Sequence, residues 1–324
     1  AGFLPVADLS GYAPGDARLT LVLRTDRIRR SPYAADVGRV LERFPDHRVL
    51  AARTGLDPVA QLDSILISTA DPMDVSATFL AARYAFGEPR MRRLFDQRAA
   101  ADGGTIGWST VGGRPVGALP SAPGLAPDPR VLVLLRPGVA VFSRPEHVAG
   151  LTAAPAAAAG APQPPVRLSI LEAETGAEPD GPALLLTLHD IHAFAAAAAG
   201  ETMPIPGAAR LMVRGLATAP VAHLELTFDA PAQAEAFAAR WPARAQRLAA
   251  HPLVFFTGLG GLLGRVEARA AGLTVRARVA VRPAELRQIL RLIAQIPPSQ
   301  PSPAASQPAS RPVPASGPAS QPRR

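Results

Sequence analysis

The sequence predicts an α+β protein in which β-hairpins alternate with single helices. Three observations carry this prediction. Short runs of β-branched and aliphatic residues come in pairs separated by tight-turn residues. A proline-started helix pattern follows most of these pairs. No apolar run is long enough to span a bilayer.

The elements follow in order. Leu19-Thr20-Leu21-Val22-Leu23 reads as a strand, and Ser31-Pro32 offers an N-cap and first helical position for a helix to about Phe44. Leu62 to Thr69 and Ala77 to Tyr84 read as strands joined by a turn at Asp71-Pro72-Met73-Asp74. Gly87-Glu88-Pro89 opens a helix with Met91, Leu94 and Phe95 on one face, stopped by Gly103-Gly104. Thr105 to Leu119 is glycine-rich and predicts a loose hairpin. Val131 to Leu135 and Val139 to Phe142 flank the turn Arg136-Pro137-Gly138. Ser143 and Glu146 then have capping-box spacing.

The same order recurs later. Arg210 to Leu216 and Val221 to Phe228 form a hairpin, and Asp229 is placed to cap a helix carrying Phe237, Trp241 and Leu248, kinked at Pro242. Val266 to Val281 turns at Ala271-Gly272, and Pro283 opens a final helix with Leu286, Ile289, Leu290, Ile293 and Ile296 on one face. The hairpin-then-helix units are expected to form antiparallel-rich sheets with helices packed on one face. The expected organisation is an N-terminal α+β half over 1–150, an Ala/Pro linker over 151–165, a C-terminal α+β half over 166–296, and a disordered Pro/Ser/Ala tail over 297–324. A single domain with a long surface loop in place of the linker is the alternative.

Absences narrow the chemistry. The 324 residues contain no Cys, no Lys and no Asn, so all 34 basic residues are Arg. Without Lys there is no P-loop lysine and no Schiff base; without Cys there is no thiolate nucleophile, iron–sulfur cluster or cysteine zinc site. No His-Glu-x-x-His and no Gly-x-Ser-x-Gly occurs. Outside the tail, 31 Arg face 26 acids, and the two signs are interspersed. A nucleic-acid ligand is therefore not expected, since such binders gather their positive charge on one face. Aromatics make up 5% of the chain, leaving few large side chains for exposed binding patches. No run could span a bilayer, and the residues upstream of Ala1 are an open question for a signal or anchor.

Two constellations remain. His189-Asp190-Ile191-His192 is the one His pair at ligand-like spacing, a candidate metal site or, with Asp190, a hydrolase of unrecognised type. A strand-to-helix junction satisfied by His and Asp explains the same residues. Arg24, Arg27, Arg29 and Arg30 cluster at a strand end and Arg90, Arg92, Arg93 and Arg98 on a helix. Of these, Arg24, Arg27, Arg29, Arg30, Arg90 and Arg93 are the candidate ligands for an acidic polymer. A solvated face paired with Asp26, Glu88 and Asp96 is the structural alternative. Gly258 to Gly264 lacks the dinucleotide-loop spacing, because Leu263 stands where the third glycine belongs. No cofactor and no catalytic residue is expected.

The stretches Ser31-Pro32-Tyr33-Ala34-Ala35-Asp36, Gly55-Leu56-Asp57-Pro58 and Leu62 to Thr69 resemble α+β proteins of GC-rich, myxobacteria-like bacteria. The likeness spans about residues 12 to 85 and, more loosely, 208 to 296. It implies an exported or membrane-anchored protein and carries no activity or site residues. The reading is thus a non-catalytic extracytoplasmic binding or scaffold protein, periplasmic or envelope-associated. Its partner would be a protein or a cell-envelope polymer.

Overall fold

The computed structural model describes residues 9, 14–44, 47, 51, 54–71, 74–120, 129–153, 181–192, 204–251 and 257–295. The Ala/Pro linker beyond residue 153, the run 252–256 and the tail lie outside the described residues.

The described strands join in one antiparallel sheet of twelve. In the N-terminal half, β1 (Leu19–Leu23), β2 (Leu62–Thr69) and β3 (Phe79–Tyr84) lead to β4 (Gly107–Val111), β5 (Arg114–Ala118), β6 (Val131–Arg136) and β7 (Val139–Ser143). In the C-terminal half come β8 (Pro182–His189), β9 (Ala208–Arg214), β10 (Val221–Thr227), β11 (Glu267–Ala271) and β12 (Thr274–Ala280). Their order across the sheet is β11-β12-β10-β9-β8-β1-β2-β3-β7-β6-β5-β4. Read outward from the centre, β1-β2-β3-β7-β6 and β8-β9-β10-β12-β11 follow the same path, with the hairpin β4-β5 added to the first. The seam is β1 against β8, antiparallel, with Leu21 opposite Leu186. The α+β class is as the sequence predicts, with both halves sharing a single sheet.

Helices cover the front face. Here α1 (Thr25–Ile28), α2 (Ala34–Leu41), α3 (Pro58–Gln61) and α4 (Glu88–Ala101) pack on the N-terminal half. They bury Leu21, Leu23, Ile65, Ile67, Leu80, Leu132, Leu134 and Phe142 together with Met91 and Phe95. The 20-residue helix α6 (Pro231–Ala250) does the same for the C-terminal half, over Leu224, Leu226, Phe228 and Val275. Residues directly opposite in an antiparallel ladder point to the same face. The register Leu21–Leu186–Leu211–Leu224–Ala277 therefore puts both clusters on one side.

The back face is covered unevenly. Beneath the N-terminal half, α5 (Pro145–Thr152) seats Val148 against Val116, Val133, Val139 and Val141. In the C-terminal half the helix in the corresponding place in the chain, α8 (Pro283–Gln295), does not go to the back. It crosses to α2 on the front, where the Arg287 guanidinium lies 5.8 Å from the Tyr33 ring centre. A short helix, α7 (Gly260–Gly264), packs on α6 and ties to α8 through Arg265, whose Nη2 donates to Glu285 Oε2 at 2.6 Å.

Three caps differ from expectation, each for a local reason. Ser143 stays in the β6–β7 ladder opposite Val131, so Arg144 becomes the N-cap of α5. Asp229 turns to His192, and Ala230 precedes α6 without a side-chain cap. Ser31 donates to Ile28 O and accepts from Tyr33 N, closing a turn, and α2 starts at Ala34.

Two consequences can be measured. Gly138 sits at φ +82°, and a Cβ there would lie 2.9 Å from Tyr84 O. Gly138→Ala should therefore cost about 1–3 kcal/mol in a denaturant titration, from left-handed strain and that contact. Glu285 is acidified: burial pushes its pKa up, but hydrogen bonds from Arg265 and the Arg282 amide, with both positive charges, outweigh this and hold it below the usual carboxylate range. A folded pKa below the unfolded one gives stability that is present above the ordinary Glu value and fades as pH falls through the folded pKa. Glu285→Gln should lower stability at pH 7 by about 1 kcal/mol. The gap to wild type should close through the acidic range.

Candidate functional site

The back of the C-terminal half, which no described helix covers, is a groove of about 690 Å³, built on β9, β10, β11 and β12. Strand alternation explains it. Val275 and Ala277 face α6, so Arg276 and Arg278 face the other way, and the same holds along the neighbouring strands. The registers assemble two rows. One runs Ser68–Thr20–Thr187–Arg210–Glu225–Arg276–Arg269, polar across seven strands. The next runs Leu66–Val22–Leu185–Met212–His223–Arg278–Glu267, apolar at the centre and charged at the edge.

The floor is held by Glu225, which pairs with Arg276 Nε at 3.2 Å and Arg210 Nη1 at 4.0 Å. At the rim Arg269 Nη2 meets Glu267 Oε2 at 3.4 Å. The Arg276 and Arg269 side chains are 72% and 84% exposed, so their pairs are screened and worth about 0–1 kcal/mol each. A ligand can take these guanidiniums at little cost. Arg278 is exposed and makes no side-chain hydrogen bond or ion pair among the described residues. Four Arg against two Glu leave the groove net positive, with Met212 and Ala271 as its apolar wall. No local window of sequence gathers these arginines, because Arg210, Arg269 and the pair Arg276 and Arg278 stand on three strands that meet through pairing. The alternation Val275-Arg276-Ala277-Arg278 was the available signal.

The arginines singled out from the sequence sit elsewhere. Arg24 makes two hydrogen bonds to Asp26 at 3.2 Å. Arg27 Nη1 donates to Pro182 O at 2.6 Å, and Arg29 donates to the carbonyls of Val59, at 2.8 Å, and Leu62. These side chains staple α1 to the ends of β2 and β8. Arg90 lies over the Phe86 ring at 4.9 Å, while Arg30 and Arg93 are exposed.

His189 ends β8, and its backbone N–H donates to Arg18 O at 2.7 Å. Asp190 takes a φ of +52° and meets Arg18 Nε at 3.5 Å. His192 Nε2 lies 3.5 Å from Asp229 Oδ2, both side chains largely exposed. Among the described residues no group of three His, Asp or Glu is placed to hold a metal.

A second cleft, about 470 Å³, lies between α2 and α3. Its polar groups serve the fold: Asp57 accepts from the Val59 and Ala60 amides as the cap of α3, and Arg39 pairs with Asp36. Burial holds the His47 pKa below its usual value despite Glu42 and Asp57 nearby.

Neither a protein-family model nor a curated protein matches the chain. Among solved structures it is similar to TP0453. Crystal form III aligns with a TM-score of 0.50 at 12% identity, over 86% of this chain and 96% of that one. Forms I and IV align with TM-scores of 0.47 at 11% and 12% identity, each over 86% of this chain and 95% of TP0453. At such identity the likeness is one of fold. Among the described residues, no helix is long and apolar enough to cross a membrane.

Proposed function

We propose that this chain is a non-catalytic binding protein acting outside the cytoplasm, and that the back face of its C-terminal half is the binding surface. The observation that carries the reading is the groove itself. Its polar side chains stand on four paired strands, in weak, exposed ion pairs, on the face that α8 leaves bare. A site on strands is better fixed than one on loops. Outside it, Arg27, Arg29 and Asp57 are tied into the fold. The extracytoplasmic placement rests on the resemblance to exported α+β proteins over residues 12 to 85 and on the Pro/Ser composition from Pro297 onward, which suits a spacer.

Methionine-methyl NMR tests the reading. Titration with small molecules and oligosaccharides released from cell envelopes should shift Met212, which lines the groove, and leave the fully buried Met91 in place. Ala271→Trp, on the same apolar wall, should crowd the groove and abolish the Met212 response. Shifts confined to other methyls would move the site. A turnover lost on alanine substitution of His189, Asp190 or His192 would replace the reading with a hydrolase. Cell fractionation that leaves the protein in the cytoplasm would remove the placement.

A further inference from the structure

We infer that the groove binds a linear, sparsely charged polycarboxylate of the acidic-polysaccharide class; the inference rests on the binding reading above and names its ligand. Arginines set the polarity. Arg210, Arg276 and Arg269 lie in one row across β9, β12 and β11, and Arg278 lies in the row beside it. Neighbouring strands are about 4.8 Å apart. The row thus offers guanidiniums at intervals of one or two strands along a line perpendicular to the strands. One strand spacing is comparable to one sugar ring. A chain with one carboxylate per ring can set an acidic group at each guanidinium while its rings cross Met212 and Ala271.

The arrangement of acids chooses the charge density. Glu225 stands between Arg210 and Arg276, and Glu267 lies opposite Arg278. Two carboxylates interleaved with four guanidiniums disfavour the close-set charges of a chain such as polyphosphate relative to those of a sparse one. Arg276 and Arg269 already engage carboxylates, at 3.2 and 3.4 Å, so a ligand carboxylate can replace the groove's own pairs like for like. Arg's planar fork fits that group. Among the described residues the groove lining holds no Phe, Tyr or Trp on which a neutral sugar could stack, so charge supplies most of the recognition.

The test is calorimetric titration of the full chain with a linear oligogalacturonate. Binding should be present, should weaken at least about fivefold between about 50 and 200 mM salt, and should fall about tenfold or more in R276Q/R278Q. An uncharged maltooligosaccharide should not bind. Both substituted positions are exposed strand sites, and an unchanged Tm checks the fold. If the double variant does not fold, the salt dependence and the Met212 methyl shift of the wild type decide alone. No binding, salt-insensitive binding, or binding unchanged by R276Q/R278Q in a folded variant overturns the inference. Tighter binding of polyphosphate with the same number of charges overturns the polycarboxylate class. Failure with oligogalacturonate while other envelope compounds still shift Met212 removes this ligand and leaves the binding reading standing. Silence of Met212 toward every compound removes both.

Discussion

Everything in this molecule is organised by the hydrogen-bonded seam between β1 and β8. Five residues of β1, Leu19 to Leu23, pair with Leu188 to Leu184 on one side and with Thr69 to Ile65 on the other. Through that strand two runs of chain, each wound as three strands, a helix and a closing hairpin, become one sheet. The seam is apolar on the front, where Leu21 and Leu23 enter the main core, and mixed on the back, where Thr20 bonds Ser68 at 3.1 Å. Arg27 fastens it from above by reaching the Pro182 carbonyl. A charge that looked available for a ligand is thereby spent on closing the sheet.

The difference between the halves is where function becomes arguable. Each half presents an apolar front to its long helix. On the back, α5 lies under the N-terminal half, whereas α8 lies along α2 and no described helix covers the C-terminal half. An antiparallel sheet tolerates one solvated face provided its outward residues are polar. The strands β9 to β12 meet that condition with arginine and glutamate. The solvated-face explanation accounts for their polarity. It does not require the excess of guanidinium or the concave shape.

Local features were readable in the sequence to the extent that local chemistry decides them. The turns at Arg136-Pro137-Gly138 and Ala271-Gly272 mark hairpins because glycine takes the left-handed geometry there, at φ +82° and +60°. Prolines at 145, 231 and 283 open helices because their missing N–H costs nothing in the first turn. Strand β8 was legible only at its end, as the strand-to-helix junction at His189-Asp190. Ala183 to Leu188 is nearly continuous in apolar residues, with no period to separate strand from helix, and its partner β1 is far away in the chain. The caps assigned to Ser143 and Asp229 went astray because each has a tertiary use, in the ladder or with His192. The groove was hidden for the same reason: it is a product of strand pairing, and its residues are neighbours in no local window.

The seam also sets an order of events in making the protein. The chain between Arg27 and Pro182 is 155 residues long, so β1 emerges from the ribosome long before the strand that will flank it. Until then the N-terminal half can assemble β1 to β7 but keeps Leu-Thr-Leu-Val-Leu as an open, apolar edge, with a row of unpaired amides able to recruit any extended chain nearby. Completion waits for β8, which opens the C-terminal half, and a contact of such sequence separation closes slowly. Until residues 182 to 189 arrive, that edge stays open to pairing with any other extended chain.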